Sequence, residues 1–152
     1  MSLSIELPLD SGFLRRECPN CQLEFKWHHG PTETTPENLP EPDVYFCPYC
    51  GETAPLNAWW TQEQIEHIQQ VGVVEAARRL DREFRQLERR TSNSLVRIRR
   101  KGFESPDSPG VLTEPSDMIG VASPCHAWEP IKVIEDWRNA LHCLVCGDQF
   151  SV

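Results

Sequence analysis

The cysteines constrain this chain more than any other feature. Four of its seven form two tight pairs, Cys18-Pro-Asn-Cys21 and Cys47-Pro-Tyr-Cys50, with 25 residues between them. Cys143-Leu-Val-Cys146-Gly147 repeats the pattern of Cys47-Pro-Tyr-Cys50-Gly51, and Cys125 stands alone. A pair spaced by two residues puts two thiolates on one side of a tight turn, where backbone amides can hydrogen-bond the sulfurs. Two such turns facing each other make the tetrahedral sulfur shell that Zn2+ favours, with bonds of about 2.3 Å. Disulfides fit less well, because seven is odd. The start, Met-Ser-Leu-Ser-Ile-Glu-Leu-Pro, has no basic segment, apolar segment or cleavage-like site. No run approaches the ~18 apolar residues of a membrane span. The expected compartment is therefore the reducing cytoplasm, where closely paired cysteines hold metal or do redox chemistry.

Cys18, Cys21, Cys47 and Cys50 make one complete set. The other three, Cys125, Cys143 and Cys146, need a fourth ligand, and two histidines offer themselves: His126 beside Cys125 and His142 beside Cys143. Since Cys143 and Cys146 already fill one turn, His126 is the better candidate, and imidazole replaces thiolate readily on zinc. Composition agrees with metal reinforcement. Apolar residues are 39 % of the chain and thirteen prolines break it, so its cores should be small and in need of staples. His28 and His29 lie beside the first set, whose shell is already full, and are expected to be solvated or structural.

These knuckles resemble those of the zinc-ribbon and rubredoxin-like class, over about residues 14–56 and 120–152. The resemblance implies short antiparallel hairpins carrying a knuckle at each turn, and two bound metal ions. It implies nothing specific about function. Rubredoxins hold iron on similar pairs, but Gln22 stands where their glycine would follow the second cysteine, and the second site asks for a nitrogen ligand. Zinc is the expected metal at both.

The rest of the chain suggests a small metal-stabilised α+β protein: a ribbon over 1–58, an amphipathic helix and strand over 59–103, a Pro-rich linker over 104–117 and a ribbon over 118–152. Residues 13–17 read as an extended lead-in, and 23–27, 44–46 and 131–133 as strands. Residues 30–43 read as a mobile polar loop. Thr61 and Gln64 have capping-box spacing, and Ile65, Ile68, Ala76, Leu80, Phe84 and Leu87 predict a helix over about 61–90, with Gly72 the place for a kink. Its apolar stripe would pack on a ribbon or on a second copy, giving a homodimer. Leu95-Val96-Arg97-Ile98 alternates like a strand. Residues 47–51 and 143–147 align, but their flanks do not.

Charge is segregated. The net charge is −8, yet residues 78–101 carry ten of the fifteen basic residues and only three acids. Arg78, Arg82, Arg85, Arg89, Arg97, Arg99, Arg100 and Lys101 are the candidate contacts for nucleic acid or a partner protein. They can also be spent internally on acidic ribbon surfaces, or locally in helix pairs such as Arg79–Glu83 and Arg85–Glu88. Trp59-Trp60 would cap a small core or, if exposed, anchor a partner. No nucleophile, phosphate-loop or HExxH motif is present. The expected function is a non-enzymatic zinc-binding adaptor. The rival is a small metalloenzyme or electron carrier using an incomplete second site, with Glu129 or Asp136 as base.

Overall fold

A computed structural model of the chain describes residues 3–99 and 106–152. These fall into two units: Glu6–Gln64 with Leu112–Val152, and Ile65–Val111 with Met1–Ile5. In the first unit, β1 (Phe13–Glu17) and β2 (Glu24–His28) form an antiparallel hairpin, with Leu14 opposite Trp27 and Arg16 opposite Phe25. Alternation places these four on one face. A second, shorter hairpin follows, β3 (Val44–Phe46) with β4 (Thr53–Pro55).

After the linker the plan repeats. β5 (Met118–Val121) pairs with β6 (Ile131–Ile134), and β7 (Leu141–His142) with β8 (Gln149–Phe150). The two halves, expected as separate ribbons, share one sheet. β2 runs antiparallel to β6, with Lys26 opposite Lys132, and the strand order is β1-β2-β6-β5. A lone two-stranded hairpin is marginal in water, and joining two of them buries Trp27 and Ile131 at the seam. The order is symmetric about that seam. An internal two-fold relation carries the first four strands onto the last four, with Lys26 and Lys132 at its axis.

One sheet face carries the core. Phe25 and Trp59 are fully buried and meet edge-on at 5.7 Å, and Trp27 packs on Trp59 at 6.1 Å and on Tyr45 at 5.0 Å. Trp59 is thus core, not the exposed anchor that the Trp59-Trp60 reading allowed. Trp60 covers Arg16, whose guanidinium lies 4.7 Å from that ring and 4.5 Å from Trp27. Burial lowers the Arg16 pKa to about 10, and the two ring faces partly offset the lost hydration. Tyr49 stitches the halves: its hydroxyl donates to Glu24 O at 2.8 Å and accepts Ile134 N–H at 3.1 Å.

The other sheet face is ionic. Lys26, fully buried, reaches Asp10 at 2.9 Å, Glu114 at 2.9 Å and Asp117 at 3.1 Å, and donates to Pro115 O. Arg15 meets Glu24, Glu114 and Asp117 at 2.6–2.8 Å, and Lys132 shares Asp10 at 2.8 Å. Three of the five basic residues outside 78–101 are therefore spent in ion pairs on this face, and the end of the supposed linker is strapped to the sheet. The loop over 30–43 is tied at its start, where the Thr32 hydroxyl donates to Trp128 O at 2.9 Å.

Helix α1 (Gln62–Thr91) begins at the capping box as spelled by the sequence. Thr61 N donates to Gln64 Oε1 and Gln64 N to Thr61 Oγ1, each at 3.1 Å, and Gln64 Nε2 reaches Arg15 O at 3.0 Å. The helix runs unbroken through Gly72, the cost of one glycine (about 1 kcal/mol) being too small to end thirty residues of good helix formers. The strand expected at 95–98 does not form. Leu95 and Val96 are fully to largely exposed and among the described residues no partner strand lies alongside, and an alternating tetrapeptide cannot hold a strand alone. Arg78, Arg82, Arg85, Arg89, Arg97 and Arg99 are exposed. Arg85 pairs with Asp81 at 3.0 Å, and Arg82 approaches Glu75 at 3.5 Å. Arg100 and Lys101 lie outside the described residues. No described helix is long and apolar enough to cross a membrane.

Candidate metal centres

The first cluster sits between two turns. β1 delivers Cys18 and β3 delivers Cys47, and each turn then brings back its second cysteine. Cys18 Sγ lies 3.7 Å from Cys50 Sγ, and Cys21 Sγ 3.7 Å from Cys47 Sγ. A tetrahedral shell with bonds of about 2.3 Å separates its sulfurs by about 3.8 Å, and all four sulfurs lie within 4.8 Å of one another. The turns share one hydrogen-bond scheme. Cys18 N donates to Leu23 O and Gln22 N to Cys18 O, just as Cys47 N donates to Glu52 O and Gly51 N to Cys47 O. That scheme requires a positive φ at the residue after the second cysteine. Gly51 takes +74° freely, and Gln22 is held at +61° against its side chain's preference. Gln22 therefore differs from Gly51 in residue type and not in backbone.

Amides turn toward the sulfurs, as such turns require. Asn20 N and Cys21 N approach Cys18 Sγ at 3.3 and 3.4 Å, Tyr49 N approaches Cys47 Sγ at 3.4 Å, and the Asn20 amide reaches Cys50 Sγ at 3.6 Å. Burial pushes the Cys47 thiol far up. At Cys50 burial also raises the pKa, but the Glu52 amide, Asn20 and the neighbouring thiols outweigh it and bring the value to about 7. Thiols packed this way invite a divalent cation, which would replace their protons.

The second cluster brings together Cys125, His126, Cys143 and Cys146, again within 4.8 Å. Cys125 Sγ lies 3.4 Å from Cys146 Sγ, and His126 Nδ1 3.4 Å from Cys143 Sγ. The second distance is close to the about 3.6 Å between sulfur and nitrogen in a tetrahedral zinc shell. His142 is elsewhere: its Nδ1 is 3.3 Å from Pro48 O and its Nε2 3.1 Å from the Gln149 amide. The two sites differ in exposure. Cys18 and Cys47 are buried and Cys21 and Cys50 half-buried, whereas Cys125 is exposed.

Ser123 is a residue the sequence reading passed over. Its buried hydroxyl lies 3.2 Å from Cys143 Sγ and accepts His126 N–H at 3.2 Å, the bond that Cys21 N–H makes to Cys18 Sγ in the first site. Serine thus supports the turn where the first cysteine of a pair is missing, and the spacing Ser123-Pro-Cys-His126 carries that signal. Burial raises the Cys143 pKa, but the Ser123 hydroxyl and the amides of Cys146 and Val145 bring it down to about 7, while burial lifts Cys146 to about 12. Glu129 faces the Tyr45 hydroxyl, with its own pKa raised by burial, and Asp136 lies beside Arg138 at 3.8 Å, both side chains exposed. His28 stacks edge-on against Phe13 at 5.3 Å, and its Nδ1 meets Gly30 O.

The two sites lean on each other through the two-fold relation. Phe46 N donates to Leu144 O at 2.9 Å and His142 N to Pro48 O at 2.8 Å. Each ring also covers the other knuckle's glycine. A Cβ on Gly51 would stand 2.9 Å from His142, and one on Gly147 2.5 Å from Phe46. Comparison with protein-family models, curated proteins and solved structures gave no match.

Proposed function

We propose that this chain is a non-enzymatic adaptor in which two structural zinc ions hold a fused pair of ribbons, and the arginines that follow meet a polyanion, nucleic acid above all. The observation that carries the structural reading is closure. Each cluster supplies four ligand atoms at tetrahedral spacing, whereas a catalytic zinc keeps a position open for water. The carboxylates that would serve as bases are directed to Tyr45 and beside Arg138. Imidazole in the second set favours zinc over rubredoxin-like iron.

The polyanion reading is supported by six exposed arginines on the second unit. The ion pairs Arg85–Asp81 and Arg82–Glu75 leave both guanidinium groups well exposed, and pairs of that kind contribute about 0–1 kcal/mol, which a polyanion can outcompete. Metal analysis of the purified chain should give two zinc per protein, and a red iron protein would overturn the structural reading. Binding to duplex or single-stranded nucleic acid should fall steeply between 50 and 200 mM salt and be lost when Arg85, Arg89 and Arg97 become glutamate. Binding that ignores salt and those substitutions would remove the polyanion.

A further inference from the structure

Helix α1 carries two unlike faces, and the apolar one is bare. The unit built on this helix has almost no core of its own. Among the described residues of Ile65–Val111 and Met1–Ile5, only Val74 and Ala77 are buried. The large apolar side chains lie instead on an outer stripe: Ile65, Val73, Leu80, Phe84 and Leu87 are 36–59 % exposed, with Ala76 exposed among them. The stripe recurs every eleven residues, Ile65 to Ala76 to Leu87 and Val73 to Phe84. That period is about 3.67 residues per turn, so the stripe runs nearly straight along the helix. Arg78, Arg82 and Arg89 each follow a stripe residue by two positions, and Arg85 precedes Leu87 by two. Two positions are about 200° of turn, which puts these arginines on the opposite face.

Three features say what covers the stripe. Reversed end for end, it matches itself. Ile65 and Leu87 stand equally far from Ala76 on either side, and Val73 and Leu80 nearly so. A second copy crossing antiparallel at Ala76 therefore sets Ile65 against Leu87 and Val73 against Leu80, with the smallest side chain where the helices come closest. The helix is also unevenly charged: residues 62–76 hold three acids and no lysine or arginine, whereas 77–91 hold six arginines and three acids. Antiparallel copies bring each acidic half beside a basic half, and parallel copies would set the two arginine-rich halves side by side. The area is sufficient too. The stripe exposes roughly 400 Å² per copy, and two copies with their flanking polar groups bury about 1,200 Å², the lower end for a specific interface.

We infer that two copies of this chain pair through their α1 helices, antiparallel, with Ile65, Val73, Ala76, Leu80, Phe84 and Leu87 as the seam. Burying the stripe gives the second unit the core that it lacks as a single copy, where a helix standing alone draws little stability from packing. Arg78, Arg82, Arg85 and Arg89 face away from the seam, so pairing and the binding of a polyanion use different surfaces. The inference does not depend on what the arginines bind.

The test uses the zinc-loaded full chain. Sedimentation equilibrium across the micromolar range should show monomer and dimer exchanging with concentration. Leu80→Glu, at an exposed position in the middle of the stripe, should weaken the dimer by about tenfold or more. Leu80→Ala, which adds no charge, should weaken it in the same direction, so a misfolded glutamate variant does not decide the matter. Val96→Glu, exposed and beyond the helix, should leave the dimer unchanged. Orientation is read by electron spin resonance, with a nitroxide coupled to a keto amino acid at the exposed Gln86, a chemistry that spares the cysteines. Gln86 lies ten residues beyond Ala76, so antiparallel copies place the two labels about 30 Å apart or more and parallel copies about 10–15 Å. A chain that stays monomeric throughout, a dimer that both Leu80 variants leave intact, or the short label distance would overturn the inference. Zinc content is measured on the same samples, so loss of metal, which would count against the structural sites, is distinguished from loss of pairing.

Discussion

Gly147→Ala should be one of the most damaging single-methyl changes available in this protein, and its cost can be worked from two separate sources. The residue sits at φ +77°, where an L side chain costs roughly 1–2 kcal/mol. The new Cβ would also stand 2.5, 2.7 and 3.0 Å from three atoms of the Phe46 ring. That ring is pinned from behind, because Phe46 N is bonded to Leu144 O and the next residue is the buried ligand Cys47. It has to shift by about 1 Å, an overpacking penalty of roughly 1–3 kcal/mol, for a total of about 2–5 kcal/mol. Gly30→Ala isolates the first source. Gly30 lies at φ +86° with nothing within 4 Å of its would-be Cβ, so it should lose only about 1–2 kcal/mol. Urea unfolding at one fixed free-zinc concentration, with intrinsic tryptophan fluorescence as the probe, gives both values. If Gly147→Ala costs no more than Gly30→Ala, the two knuckles are not pressed together as described.

Other perturbations test other parts of the account. Gln22→Gly should stabilise the first knuckle by a few tenths to about 1 kcal/mol, the relief of a left-handed glutamine less the added freedom of glycine in the unfolded chain; a loss in the same urea assay would show that Gln22 is not strained. Lys26→Met should destabilise by roughly 3 kcal/mol, because it leaves buried acids short of a cation, and a neutral result would mean that Arg15 and Lys132 suffice. Hydrogen bonds from Lys132 and Lys26 hold the Asp10 carboxyl at about 2. A depressed carboxyl contributes stability that is complete above its ordinary value near 4 and is lost as pH falls through about 2. Asp10→Asn should therefore narrow the drop in urea midpoint between pH 5 and pH 2.5, and an unchanged drop would refute the assignment. Ser123→Ala removes a bond to Cys143 and to the His126 amide, and should speed zinc release to a chelator about tenfold; release no faster than from the unaltered chain would leave Ser123 without a role.

What could be read from the sequence was local. The knuckles are written in spacings of two residues, and the helix start in a spacing of three, so Cys18, Cys21, Cys47, Cys50, Thr61 and Gln64 could be placed without knowing the fold. His126 followed from a missing ligand, and the structure brings it to Cys143 while His142 lies on the opposite knuckle. The β2–β6 pairing was not legible, because neither strand carries a local mark of a partner about a hundred residues away. The ionic face was hidden for the same reason. Lys26 and Arg15 look like surface charges until Glu114 and Asp117 are brought over them. Alternation misled at 95–98, where the pattern is right but no neighbouring strand completes it, and Trp59 was ambiguous because burial depends on β2, not on its own neighbours.

The crossed pairing of the two knuckles bears on how the chain fills with metal. Phe46 and His142 each precede a ligand cysteine of one cluster and roof the glycine of the other. If the clusters take zinc as proposed, an ion entering either one would order a wall of its neighbour before the neighbour's own ion arrives. The second ion meets a site whose ordering cost is already partly met, and departure of one loosens the other by the same free energy. Plotted against free zinc, occupancy should climb as one steep step shared by eight ligands, with the half-loaded chain a scarce species.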